Sequence, residues 1–308
     1  MSIHAGVGLA TYPFESTDGY WEWVHYCDEN GVDSIWQTDR LVSSEPVLES
    51  MVTMAALAGG TKKVKFGMNV VSMGIRDPLV IAKQCATIDV LSKGRMLPAF
   101  GIGSVRSRDY AATGRPTKRR GVRTNEALEI VGRLWQGERL TYKGEFFSYE
   151  DAVISPLPVQ KRFPLWIGGS SKAAIERTAR YGTGWQAAAE TPDEAGIVVE
   201  KIKAATAEAG RAIDFDHYGT GIAFRFGGWD DPGVERAAKG YKAITGRDPA
   251  QGLAIGGADE ILTKIEAFVA NGIFKFILRP IAYGDDEMMA QTRRLVEEVM
   301  PAVERMND

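Results

Sequence analysis

Segments patterned like buried strands alternate with segments at helical spacing along almost the whole chain. No other feature restricts the fold as much. "AGVGLATY" (5–12) is followed by "YWEWVHYCDENG" (20–31), "DSIWQT" (33–38) by "PVLESMVTMAALAGG" (46–60), and "KVKFGMNVV" (63–71) by "DPLVIAKQCATIDVLSKG" (77–94). Pro46 suits the first turn of the second helix and Gly59 and Gly60 its end. In the third helix Val80, Ile81, Gln84, Cys85, Ile88 and Leu91 recur at helical spacing, which predicts one buried face, and Asp77 and Pro78 read as N-cap and first turn. "RMLPAFGIG" (95–103) reads as a strand interrupted by Pro98, since proline cannot donate to a sheet ladder. A long helix is predicted over about 117–136.

Residues 137–160 are aromatic, β-branched and turn-rich, and predict a hairpin excursion rather than another helix. The alternation resumes with "PLWIGG" (164–169), "KAAIERTARYG" (172–182), "GWQAAA" (184–189) and a helix over 192–210. It ends with "HYGTGIAFRF" (217–226), a second excursion near 227–256, a helix over 258–271, "KFILRP" (275–280) and a helix over 285–305. Strands separated by helices imply a parallel sheet with helices outside. A single α/β domain over 1–308, folded as a (β/α)8 barrel, fits best, with a doubly wound open sheet as the rival because alternation does not reveal closure.

The 308 residues are 44% hydrophobic and 25% charged, enough apolar content for a substantial core. Thirty-seven basic against 40 acidic residues leave a formal charge of -3, so no global field attracts nucleic acid or an anionic membrane. The N-terminal stretch has no basic region followed by a long apolar run, and the expectation is a cytoplasmic protein. Cys27 and Cys85 are too few for a disulfide framework, and His4, His25 and His217 are too scattered for a metal site.

In a barrel of this kind, polar residues at strand C-termini collect at one mouth. "GVDSIWQTDRL" (31–41) ends its strand on Gln37, Thr38, Asp39 and Arg40, and the other strand ends bring Thr11 and Tyr12, Asn69, Gly101 to Ser104, Gly168 to Ser171, Trp185 and Gln186, and Arg279. Asp39 and Arg40 equally suit a loop cap with local ion pairing. "FGIGS" lacks the third glycine of a dinucleotide fingerprint, having Arg106 there. Gly168, Gly169, Ser170 and Ser171 before a helix suit a phosphate, or a plain N-cap. Arg115, Lys118, Arg119, Arg120 and Arg123 crowd the start of a helix, the wrong end of its dipole for cations, which invites an anionic partner or marks a solvated loop.

"GVDSIWQTDRL", "DPLVIAKQCATIDVLSKGRMLPAFGIGS", "PLWIGGSSKAAIERTARYGTGW" and "KFILRP", in this order and spacing, resemble the bacterial luciferase-like superfamily of flavin- and deazaflavin-dependent oxidoreductases, and within it the coenzyme F420-dependent branch. The resemblance implies a barrel, often a homodimer, that transfers a hydride between coenzyme F420 and a small organic substrate. It implies a cis peptide at Asn69–Val70 beneath the cofactor ring, Gly101, Gly103 and Ser104 beside the ring, Gly168, Gly169, Ser170 and Ser171 at the phosphate, and Asp39 at the ring edge. Arg40 stands where sugar-phosphate dehydrogenases of the branch have a histidine, and Ser104 where they have a glutamate. Catalysis is therefore expected from Asp39 and Arg40, with Tyr12, solvent or the substrate itself as the proton source, and Arg279 suits either an acidic group of the substrate or a bridge to the final acidic helix. The alternatives are an FMN-dependent two-component monooxygenase and a non-catalytic flavin-binding protein.

Overall fold

The computed structural model describes residues 2–307. Strand β1 (His4–Leu9), helix α1 (Thr17–Glu29) and β2 (Ser34–Gln37) are followed by α2 (Ser50–Gly60), β3 (Lys65–Met68) and β4 (Val71–Ser72). Helix α3 (Pro78–Ser92) leads to β5 (Met96–Leu97) and β6 (Ala99–Gly101), then to α4 (Asp109–Ala112) and α5 (Arg120–Trp135). The hairpin β7 (Leu140–Lys143) and β8 (Ser148–Ala152) precedes β9 (Trp166–Gly168), α6 (Lys172–Tyr181), β10 (Gly184–Gln186) and α7 (Pro192–Glu208). The last third holds β11 (Tyr218–Phe226), α8 (Pro232–Thr245), β12 (Leu253–Gly256), α9 (Ala258–Val269), β13 (Lys275–Pro280), α10 (Asp285–Arg294) and α11 (Met300–Arg305).

Strand β1 pairs in parallel with β2 and β13, and at the two ends of that run β3 pairs with β5 and β4 with β6, which also pairs with β9, so the sheet closes and the open doubly wound alternative falls. β3 and β4 act as one strand broken at residues 69 and 70, paired with β5 and β6, which break at Pro98. The missing N–H explains the second break, while the Pro98 carbonyl still accepts from Trp166 N at 3.0 Å. Around the ring the order is β1, β2, β3/β4, β5/β6, β9, β10, β11 and β13, the eight-stranded α/β barrel expected.

Several boundaries differ from the sequence expectation for local reasons. Helix α2 starts at Ser50 because Glu49 caps it, its carboxylate accepting from Val52 N, while the Pro46 carbonyl is held by Tyr12 N at 2.7 Å. The basic run lies before α5, whose N-cap, Arg119, turns through the left-handed region and makes no side-chain cap. Residues 227–256 are structured: they contain α8, and β12 extends the sheet by pairing with the end of β11. The C-terminal helix passes through a π-helical turn at Leu295–Val299, just before Pro301 withholds a ladder donor. On α3, Ile81, Cys85 and Ile88 are buried but Val80 and Leu91 point outward, 52% and 65% exposed.

Alternate residues of β13 enter the bore, as strand geometry requires. Lys275 lies at the floor, 4% exposed and paired with Asp33; Ile277 sits at mid-height, packed with Trp36, Ala99 and Trp166; Arg279 reaches the mouth. The indoles of Trp36 and Trp166 meet at 6.4 Å and fill the middle. Glycines make the room: a Cβ on Gly67 would lie 2.5 Å from the Trp36 ring, and one on Gly184 2.6 Å from the Trp166 ring. No helix among the described residues is long and apolar enough to cross a membrane.

Burial works against charge on Asp33, but Lys275, His4 and Lys65 outweigh it and hold the carboxyl well below its usual range. A carboxyl depressed in the native state stabilises the fold above its unfolded pKa of about 3.9 and loses that contribution as pH falls through the folded value. Asp33→Asn leaves Lys275 buried without its counter-charge, a loss of about 3 kcal/mol at neutral pH. Urea unfolding of both proteins at pH 7 and pH 3 checks this: the gap between them narrows at the lower pH, and equal stability at pH 7 refutes it.

Candidate active site

The cavity at the C-terminal mouth of the barrel has a volume of about 390 Å³. Five of its thirteen lining residues are glycine, so backbone forms much of its wall and a flat ligand can lie close against it. Among the residues expected at the site, Asn69, Val70, Gly101, Gly103, Ser104, Gly168, Gly169 and Arg279 all line this cavity. The Asn69–Val70 peptide is cis. Val70 projects between two neighbouring strands, where a Cβ on Gly101 would lie 2.8 Å and one on Gly168 3.1 Å from its Cγ2. Those two glycines are explained first by the bulge that they accommodate. Gly103 is explained by its own backbone, which has φ of 69°, in the left-handed region.

Asp39 lies behind this wall, its side chain fully buried. Its carboxylate accepts both terminal nitrogens of Arg76, at 2.7 and 2.8 Å, together with Ser72 N at 2.9 Å and Ser50 Oγ at 3.2 Å. Arg76 also reaches Glu49 at 3.1 Å. Burial opposes charge on Arg76, yet the two carboxylates prevail and raise its pKa. The acid just beyond the end of β2 is therefore the clamp for β4, immediately after the cis peptide. Its partner is Arg76 rather than the adjacent Arg40, which is exposed. Tyr12 also stays off the cavity wall: its hydroxyl donates to the Ser16 carbonyl at 3.2 Å within an aromatic cluster with Phe14 and Tyr20, and burial and Asp285 raise its pKa against a hydrogen bond from Thr17.

Ser170 and Ser171 precede α6, and Ser171 caps it by accepting from Ala174 N at 3.3 Å. The basic run approaches the strand-four loop through Tyr110, whose hydroxyl donates to the Ile102 carbonyl at 2.6 Å. Burial raises the Tyr110 pKa, and nearby Arg120 and Arg123 oppose that rise. Arg115, Arg120 and Arg123 each retain a buried Nε with no acceptor, while Arg119 pairs with Glu145 and the Arg123 guanidinium lies 4.7 Å from the Phe147 ring centre.

Two side chains on the far side of the cavity are unsatisfied. Gln186, 2% exposed, has neither its amide nitrogen nor its oxygen paired, and Arg279 has a shielded Nε without an acceptor. Burial alone lowers the Arg279 pKa. Buried polar groups are nearly always paired, so the two orphans beside this cavity stand out as groups with hydrogen-bonding capacity to spare. Gln186 is visible in the sequence only as a strand end, and Arg76 carries no signal at all, because its role depends on a contact across 37 positions.

Residues 2–226 match the family model for luciferase-like monooxygenase. The chain belongs to this family. It is 32% identical over 206 residues to an uncharacterised protein of Mycobacterium tuberculosis (strain ATCC 25618 / H37Rv), covering 67% of this chain and 66% of that one. It is likewise 32% identical over 167 residues to the F420-dependent glucose-6-phosphate dehydrogenase of Microbacterium testaceum (strain StLB037), covering 51% and 48%. The matched region thus spans just under two thirds and about half of these relatives' lengths. Among solved structures, an F420-dependent secondary alcohol dehydrogenase in complex with an F420-acetone adduct superposes with a TM-score of 0.84 at 20% identity, covering 98% of this chain and 99% of that one. Monooxygenase RslO1 from Streptomyces bottropensis gives 0.83 at 18%, covering 97% and 99%. At such identities these two likenesses speak for the fold.

Replacing Asp39 by Asn removes the bidentate counter-charge of a largely buried guanidinium, leaving it Glu49 alone, and is expected to cost about 3 kcal/mol, whereas Arg40→Ala, at an exposed position, changes stability by less than about 0.5 kcal/mol. Chemical denaturation of the two variants tests the assignment; an equal effect at both positions contradicts it.

Proposed function

We propose that the protein is an oxidoreductase that binds coenzyme F420 at the barrel mouth and transfers a hydride between it and a small organic substrate. The observation that carries this reading is the mouth cavity itself, floored by the cis Asn69–Val70 bulge, walled by glycine backbone, and holding an unpaired amide and guanidinium opposite. A volume of about 390 Å³ suits a fused planar ring system. The F420-dependent dehydrogenases among the sequence relatives favour the deazaflavin over FMN.

When bound, the cofactor supplies a hydride at its central ring. The chain's own part is binding and orientation: Asn69, Val70, Gly101, Gly103 and Ser104 support the ring, and Gly168, Gly169, Ser170 and Ser171 at the start of α6 receive its phosphate. Arg115, Arg120 and Arg123, with nitrogens to spare, attract the remaining negative charge of the tail. Asp39 acts as a positioning residue through Ser72 and Arg76. Arg40 and Tyr12 stand outside the cavity wall, and the reading rests on neither. Arg279 faces the substrate.

The same proposal makes the protein a homodimer, through the outward apolar side chains Val52 of α2 and Val80 and Leu91 of α3, 69%, 52% and 65% exposed. It also assigns a reducing, cytoplasmic setting, in keeping with the buried free thiols Cys27 and Cys85.

Titration of the protein with oxidised F420 and with FMN is expected to give micromolar or tighter binding for F420 and negligible binding for FMN, with no oxygen consumption when reduced cofactor is supplied. Preference for FMN with oxygen uptake would establish the monooxygenase reading instead. Reversing charge at Arg120 and Arg123 is expected to weaken F420 binding at low salt by at least tenfold. Sedimentation velocity is expected to give a dimer that Val52→Glu with Leu91→Glu dissociates; a monomeric wild-type protein rules the dimer out.

A further inference from the structure

A side chamber of about 180 Å³ opens from the mouth cavity and shares Ala188, Gly221 and Arg279 with it. Its inner wall is apolar, from Ile222, Leu253 and Phe268, and α8 closes one side with Tyr241 and Ile244. The excursion between β11 and β12 therefore builds a compartment that a bare barrel would lack. Two charged groups face it. Glu190 folds back on its own backbone, Oε2 accepting from Ala188 N at 2.7 Å and Ala189 N at 3.1 Å. Arg279 has no hydrogen-bond acceptor and no carboxylate partner among the described residues.

The contrast within β13 is informative. Its other inward cation, Lys275, is neutralised by Asp33, as a buried charge normally must be. Arginine stays protonated under ordinary conditions, so the half-buried Arg279 keeps its charge at the mouth with no counter-ion from the described residues, and its terminal nitrogens are free for an anion from outside the chain. The guanidinium lies over Gly221, where a Cβ would already touch its carbon at 3.5 Å. A planar fork matches a carboxylate in bidentate fashion, whereas no lysine or second arginine lines the chamber to share the larger charge of a phosphate. A cavity of about 150 Å³ accommodates benzene, so by volume this chamber takes a group of roughly six to eight non-hydrogen atoms, whose apolar part can lie on Ile222, Leu253 and Phe268.

We propose that the chamber is the substrate site and selects a small carboxylate, with the anionic group on Arg279 at the boundary of the two cavities and the apolar group against Ile222, Leu253 and Phe268. This rests on the oxidoreductase reading for the word substrate, but carboxylate binding can be measured without the cofactor. Calorimetric titration of the cofactor-free protein with benzoate, benzamide and phenyl phosphate is the test. Benzoate is expected to bind at least tenfold more tightly than benzamide and than phenyl phosphate, with the preference over benzamide abolished in Arg279→Gln and reduced in Arg279→Lys. The wild-type comparison stands even if a variant fails to fold. Equal binding of benzoate and benzamide, or no binding of either, overturns the proposal, and preference for phenyl phosphate replaces it with a phosphate site. Benzoate selectivity without F420 binding upholds the carboxylate site and overturns the cofactor reading; F420 binding without benzoate selectivity does the reverse.

Discussion

The two indoles that fill the bore decide where this barrel can hold a ligand. Trp36 and Trp166 come from β2 and β9, on opposite parts of the ring, and meet edge to face at 6.4 Å. They fit because the strands beside them carry Gly67 and Gly184, where any side chain would run into a ring. Large residues facing absent ones is how a close-packed interior reaches native density. Below the plug, the Asp33–Lys275 ion pair closes the floor, with His4 beside it. Above it the strands end, the packing stops, and the bore continues into the glycine-walled cavity.

That cavity has two unlike walls. On the side of strands three to five, backbone dominates, and its shape depends on a broken strand held from behind by Asp39, Arg76 and Ser72. On the side of strands six to eight, the unpaired Gln186 and Arg279 look inward. The first wall offers shape and the second offers charge and hydrogen-bonding groups. Separating the tasks lets the loops after β11 vary the chamber without disturbing the bulge.

Much of this was legible in the sequence, because closure and the mouth follow from strand–helix alternation, and polar strand ends mark the mouth's rim. Asp39 was legible as important but not for what it does. Adjacent acid and base suggested an Asp39–Arg40 unit, yet side chains next to each other in an extended segment point apart, and the buried partner came from Arg76. The start of α2 was misread at Pro46 because proline suits several positions before and within a first turn, and tertiary hydrogen bonding settled which. The α3 face was misjudged for a related reason: Val80 and Leu91 have apolar character and helical spacing, but the barrel surface selects Ile81, Cys85 and Ile88. The 227–256 region was opaque since its charge and glycine content masks a helix whose buried side is a single residue, Val234.

The chemistry of the mouth follows from what its lining lacks. Among the described residues that line the cavity, Arg279 is the one with an ionisable side chain, and a guanidinium does not serve as a general base at neutral pH. A reaction that required a protein carboxylate or imidazole at the reacting atom would find none in this cavity, and the Glu190 carboxylate of the adjoining chamber is held by Ala188 N and Ala189 N. Transfer of a hydride between two held molecules makes no such demand when solvent supplies the proton. It needs proximity, an angle, and a fixed positive charge near the carbon skeleton that accepts electron density, and those are the terms that a glycine wall and an unpaired arginine can provide.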